Sequence, residues 1–135
     1  MTALTRNTSR KHQLAVALLS PLFAMPVLAA TTIYAGAEVA LTPAGYLTNA
    51  SADASLRVVG VWNGSEAVDN SAGASGALTC VPTRGAFYFA NSGTTDAITD
   101  ADLGRPCYVV DNNTVARTSA YGARSEEHTS ELQSP

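Results

Sequence analysis

Lysine is almost missing from this chain. Its one lysine is Lys11, and no basic cluster follows the first eleven residues. Contacts to a phosphate backbone need concentrated positive charge, so nucleic acid is not an expected partner. Charged residues of both signs are scarce, at 14% of 135 residues. Long solvated helices draw their outer faces from such residues, so they are not expected either. The two cysteines, Cys80 and Cys107, match no zinc or thiol-redox spacing. They read as two buried or half-buried thiols. A disulfide between them requires export to an oxidising compartment. What is plentiful is small: Ala, Thr, Ser and Gly abound, and hydrophobic residues reach 46%. This composition fits short strands and tight turns, and the length allows one domain with a modest core.

Residues 124–135 read RSEEHTSELQSP. Read codon by codon, the string from Arg124 to Ser134 is identified as the translation of a common short-read sequencing adapter, and a next codon beginning with C supplies Pro135. Such a segment is set aside before fold reasoning. Glu126, Glu127, His128 and Glu131 are then not metal ligands, although their clustering imitates a site. Setting aside one Arg and three Glu leaves seven basic and eight acidic residues and a net charge of −1. On this reading the β-rich domain of residues 31–123 is cut short at its C-terminus, and residues 118–135 are expected to lack regular structure.

Residues 1–30 permit two readings. Arg6, Arg10 and Lys11 precede an apolar run over residues 14–28, LAVALLSPLFAMPVL, and Val27 and Ala29 sit at the −3 and −1 positions of a cleavage site before Ala30. That is the pattern of a secretory signal. The run is short and holds Pro21 and Pro26, so a stable membrane span is not expected. The competing reading is an arm and first strand that pack within an assembly.

From Thr31 onward, short apolar runs alternate with turn signals. TTIYAGAEVAL reads as one strand with Ile33, Val39 and Leu41 buried, and TPAG at 42–45 as a turn into a second strand from Tyr46. LRVVGVW at 56–62 is the next strand, where Gly60 marks a bulge or a close backbone approach. Asn63-Gly64 reads as a tight turn with positive φ. VDNSAGASG at 68–76 reads as a flexible connector. Leu78, Cys80 and Pro82 should share one strand face, opposite Thr79, Val81 and Thr83. In AFYFA at 86–90, Phe87 and Phe89 should face the core and Tyr88 the other side. Thr99 caps one helical turn, DADL, closed by Gly104. Cys107 to Asp111 and Thr114 to Arg117 form a hairpin. The whole is mainly β: a small barrel or sandwich of short antiparallel strands with one short helical turn.

No catalytic constellation can be assembled. Outside the adapter-like tail the one histidine is His12, in the basic N-terminal stretch, and no Ser-His-Asp set forms around it. Beyond Asp69 the carboxylates are Asp96, Asp100, Asp102 and Asp111. Asp100 and Asp102 suit the start of a helical turn. A calcium site needs more oxygen ligands than they offer. Phe87, Tyr88 and Phe89 suit core packing better than a ligand platform, and Trp62 beside a turn suits either packing or a partner contact. The chain is therefore expected to be no enzyme, with no catalytic, cofactor-binding or metal-binding residues and no cofactor.

Several segments carry a resemblance together: RNTSRK, PVLAATTIYAGAEVALTPAGYLTNA, VDNSAGASGAL, RGAFYFANS and DAITDADLGRPCYVVDNNTVARTS. Their order and spacing over residues 6–124 resemble small proteins encoded among the head genes of tailed phages and prophages. These look like capsid decoration or cement modules, often β-barrels that oligomerise on the shell. The resemblance implies a virion structural protein whose partners are a capsid or like subunits, found in the virion or in the host cytoplasm during assembly. It implies that Gly36, Gly85 and Gly104 hold turns, that Cys107-Tyr108 opens a late strand, and that PVLAATTIYAGA is internal structure. This chain departs from the group in its more apolar residues 14–23 and in its tail, where the group continues past Arg124. The alternative is an exported periplasmic or surface β-domain that has lost residues 1–29 as a signal peptide.

Overall fold

A computed structural model describes residues 3–7, 20–93, 95–118 and 130–131, the backbone alone at 20, 21, 130 and 131. The protein is mainly β. Its largest sheet has the strand order β1-β9-β6-β4-β5, formed by β1 (Ser20–Pro21), β9 (Thr83–Arg84), β6 (Arg57–Val61), β4 (Glu38–Leu41) and β5 (Leu47–Asn49). A three-stranded sheet runs β11 (Ala90–Asn91), β13 (Thr114–Ala116), β12 (Tyr108–Asp111). Three two-stranded pairs complete the set: β2 (Met25–Pro26) with β8 (Thr79–Cys80), β3 (Thr31–Ile33) with β7 (Val68–Asn70), and β10 (Phe87–Tyr88) with β14 (Ser130–Glu131). Pairing is antiparallel except for β11–β13 and β10–β14. Among the described residues the strands close no barrel, and the layering is that of a small sandwich.

β4 lies at the centre. Glu38, Val39 and Ala40 are all buried, so this strand is covered on both faces. Val39 points into a cluster with Met25, Val27, Ile33, Ala37, Leu47 and Cys80. Ala40 points the other way, against Ala50, Val58 and Val109. A third cluster gathers Val61, Phe87, Phe89, Cys107 and Val115. Cys80 and Cys107 are free thiols in different clusters.

Local signals place several elements where the sequence puts them. The β4–β5 hairpin turns through Gly45 at φ 91, with its N–H donating to the Thr42 carbonyl at 2.9 Å. Gly60 meets both expectations: Val39 pairs with Gly60 and Ala40 with Val58, leaving Val59 as the extra residue of a bulge. A Cβ at Gly60 would lie 2.6 Å from the Thr83 carbonyl oxygen, so its bare Cα lets β9 approach. Phe87 and Phe89 are fully buried and Tyr88 half-buried. A 3₁₀ turn at Asp100–Asp102 follows Thr99, with Leu103 at its end and Gly104 at φ 80 just beyond.

Several expectations need correction. TTIYAGAEVAL is two strands, because Gly36 at φ 92 turns the chain between them and the Ala37 N–H bonds back to the Tyr34 carbonyl at 3.0 Å. Leu41 is half-buried at the strand end. Gly64 has no positive φ; the Trp62 ring lies where its Cβ would stand, 2.3 Å from the nearest ring carbon. Finally, Ser130–Glu131 forms a strand although no regular structure was expected there. Backbone pairing needs no apolar alternation, which is why the sequence pattern does not announce it.

Candidate interaction surface

Residues 20–29 are built into the body. Leu22 N–H donates to the Pro82 carbonyl, Val27 N–H to Leu78 and Leu28 N–H to Leu47, each at 2.9 Å. Met25 pairs with Cys80, and Val27 bridges Leu47 in parallel. Met25 and Val27 point inward and are buried, Val27 completely. The outer side of this ribbon carries Phe23, 71% exposed, with Leu78 and Val81 also exposed. Between the Leu22–Pro82 bond and the Met25–Cys80 pair, Phe23 and Ala24 lie across from Val81. Cys80 and Pro82 share the buried face as expected. Leu78 does not: it precedes β8, outside the strand's alternation.

The expected connector at 68–76 is instead a polar anchor. Val68–Asn70 is β7, and the Asn70 side chain is 98% buried. Its Nδ2 donates to the carbonyls of Val27 at 3.3 Å, Leu28 at 3.0 Å and Ala74 at 3.0 Å. Gly73 makes room for it: a Cβ there would lie 2.1 Å from Asn70 Oδ1. Gly76 N–H adds a bond to the Val27 carbonyl at 2.9 Å. One amide thus ties the N-terminal ribbon to the β7 loop.

A second amide chain runs across the opposite end of β4. Asn112 is buried, and its Oδ1 accepts the Leu4 N–H at 2.7 Å. Its Nδ2 donates to Asn49 Oδ1 at 2.9 Å, and Asn49 Nδ2 donates to the Thr32 carbonyl at 3.0 Å. Asn7 Oδ1 accepts the Ala35 N–H at 3.0 Å, and Leu4 packs against the first core cluster. Asn91 does similar work within its own loop, bonding both the N–H and the carbonyl of Ile98 at 2.8 and 2.9 Å. From the sequence, Asn112 reads as part of a hairpin turn and Asn70 as part of a connector. The available signal is that Asn49, Asn70, Asn91 and Asn112 stand at strand ends, where a short amide reaches backbone groups of the next segment.

The candidate carboxylates serve local turns. Thr99 donates its N–H and Oγ1 to Asp102 Oδ2 at 2.9 and 3.1 Å, and the backbone bond holds the Asp102 carboxyl below its usual range. Asp96 accepts from the Ser92 hydroxyl, Asp111 from the Asn113 N–H at 2.9 Å, and Asp69 from the Ser71 N–H and the Thr32 hydroxyl. Asp100 lies exposed in the 3₁₀ turn. Among the described residues no three His, Cys, Asp or Glu side chains gather where a metal could bind. Burial pushes the Cys80 thiol up to about 12. Trp62 Nε1 donates to the Glu66 carbonyl at 2.7 Å. His12, Glu126, Glu127 and His128 lie outside the described residues, as does the Glu131 side chain. No helix among the described residues is long and apolar enough to cross a membrane.

Compared with protein-family profiles, curated proteins and solved structures, the chain matches none.

Proposed function

We propose that this chain is a non-enzymatic virion structural protein that decorates a tailed-phage capsid lattice, with residues 1–30 kept on the mature protein. The resemblance of its ordered segments to phage head-gene products motivates the reading. The observation that carries it over the exported alternative is the placement of residues 20–29. Loss of residues 1–29 would strip Met25 and Val27 from the core and take two of three acceptors from Asn70. Exposed Phe23, Leu78 and Val81 supply an apolar face for a neighbouring subunit. The adapter reading of the tail belongs to the same proposal: the ordered resemblance ends where that string begins.

The test is co-sedimentation of the tagged full chain with capsids assembled from the neighbouring head genes on its source DNA. Saturable attachment with an intact N-terminus is the expected result. A chain recovered from the periplasm and starting at Ala30 would replace this reading with the exported one.

A further inference from the structure

We propose that Asn63-Gly64 is a self-modification site: the Gly64 backbone nitrogen displaces the Asn63 side-chain amide, and water opens the resulting succinimide to aspartate or isoaspartate. The inference is independent of the capsid reading. Such a reaction needs a side-chain amide free to turn onto the next backbone nitrogen. That nitrogen must be neither committed to an acceptor nor crowded by a side chain of its own residue. Asn63 is exposed, and neither its amide nor the Gly64 N–H is bonded to any described residue. Gly64 brings no Cβ, and the Trp62 ring occupies the space where one would stand. The fold closes four other asparagines to the same attack, each at both reacting groups. The Asn49 amide is committed to Thr32 and Asn112, and the Ala50 N–H donates to the Glu38 carbonyl at 2.9 Å. Three carbonyls hold the Asn70 amide, and the Ser71 N–H donates to Asp69 Oδ1 at 3.0 Å. Asn91 bonds Ile98 through both side-chain atoms, and the Ser92 N–H donates to the Val115 carbonyl at 2.9 Å. Asn112 bonds Leu4 and Asn49, and the Asn113 N–H donates to Asp111 Oδ1 at 2.9 Å.

The step needs no reactant but water. The Gly64 nitrogen forms a bond to Asn63 Cγ, the Cγ–Nδ2 bond breaks, and the Gly64 amide proton leaves with Nδ2 as ammonia. Water then opens one of the two ring carbonyls. Opening at Cγ restores the ordinary backbone with an aspartate at position 63. Opening at the backbone carbonyl carbon leaves isoaspartate, whose main chain runs through Cβ and Cγ and is one carbon longer. That extra carbon falls inside a closed loop. Trp62 Nε1 bonds the Glu66 carbonyl at 2.7 Å, and the Trp62 ring covers Gly64. The Trp62 backbone is fixed by the Gly36 N–H and the Ala37 carbonyl, and its side chain packs against the first core cluster. Isoaspartate therefore displaces Gly64 from the indole and strains the Nε1 bond, while aspartate adds a charge without lengthening the chain.

The experiment incubates the full chain at mildly alkaline pH and follows each asparagine by peptide mapping with fragmentation. Position 63 should show the mass change of NH to O, and isoaspartate, at least about tenfold faster than positions 49, 70, 91 and 112. In urea those four should convert faster than they do in the folded chain. Trp62 emission should shift in step with isoaspartate. It should stay constant in Asn63→Gln, whose longer side chain would have to close a slower six-membered ring. Freshly prepared Asn63→Asp should match the native emission, because its backbone is not lengthened. An Asn63 that stays intact in the folded chain, with the urea sample converting as the control, would overturn the proposal. So would folded-state conversion at any of the other four as fast as at Asn63. Emission unmoved by complete conversion would overturn the coupling to Trp62.

Discussion

Three carbonyl oxygens converge on the Asn70 amide nitrogen, which has two protons to give them. Asn70→Leu should leave those buried acceptors without their donor and cost about 1–3 kcal/mol in urea unfolding. Asn70→Asp is the sharper test, because a carboxylate would face three carbonyls. Its folded-state pKa would be raised, so the penalty should shrink as pH falls from that raised value toward about 4, where the protonated acid is a donor in the folded chain. A variant equally stable at pH 3.5 and 7 would show that the amide donates nothing essential. The second residue-scale prediction concerns Cys80, whose thiol is pushed up to about 12 from 9.0. Between those values the unfolded chain loses a proton that the folded chain keeps. Stability is therefore complete below pH 9 and falls above it, by up to about 1.4 kcal/mol per pH unit from this group. Cys80→Ala should flatten that part of a pH–melting curve, and an unchanged alkaline slope would assign it to other groups.

At the scale of elements, what was legible is what is local. Two aromatics at period two, a Thr-Pro-Ala-Gly turn, a capped turn from Thr99 to Gly104 and the Asn112-Asn113 hairpin each depend on neighbouring residues alone. The break at Gly36 was hidden because TTIYAGAEVAL satisfies a strand pattern on both sides of it, and the corner is set by Trp62, whose carbonyl accepts the Gly36 N–H at 2.6 Å. VDNSAGASG looks like a linker because its anchor, Asn70, works through carbonyls more than forty residues away. The interaction surface was less legible still, since the segment holding Phe23 comes across from Val81, and Leu4 bonds Asn112, only after the sheets form. Gly60 is the case where a sequence signal carried a specific tertiary meaning. Gly60→Ala would press a methyl against the Thr83 carbonyl, a backbone atom that moves only with β9. The expected cost is about 1–3 kcal/mol, as for other overpacked sites. It should come with faster amide exchange at Thr83 and Arg84; wild-type protection there would mean that the bulge absorbs the methyl.

At the scale of the whole molecule, the question is whether residues 30–135 can fold alone. Met25 and Val27 are each buried in the largest cluster, with Leu22 and Leu4 packed against it. Burial of a large apolar side chain contributes about 1.5–3 kcal/mol, so Met25 and Val27 together supply roughly 3–6 kcal/mol. A domain's net stability is about 5–15 kcal/mol. The loss extends past those two side chains. Without residues 20–29, β9 and β8 lose their partners β1 and β2, and the Leu47 carbonyl loses the Leu28 N–H. Opened strand edges of this kind invite pairing between chains. A chain beginning at Ala30 is therefore expected to aggregate or bind hydrophobic dye, with no cooperative melt. The full chain should melt in one transition. Adding a synthetic peptide of residues 20–29 in trans should recover part of the fold, read as a rise in near-ultraviolet dichroism from Trp62. A sharp melt from the shortened chain by itself would mean that the β7 loop and β5 edge close without the ribbon. Retention of residues 1–30 on the mature protein would then lose its physical support.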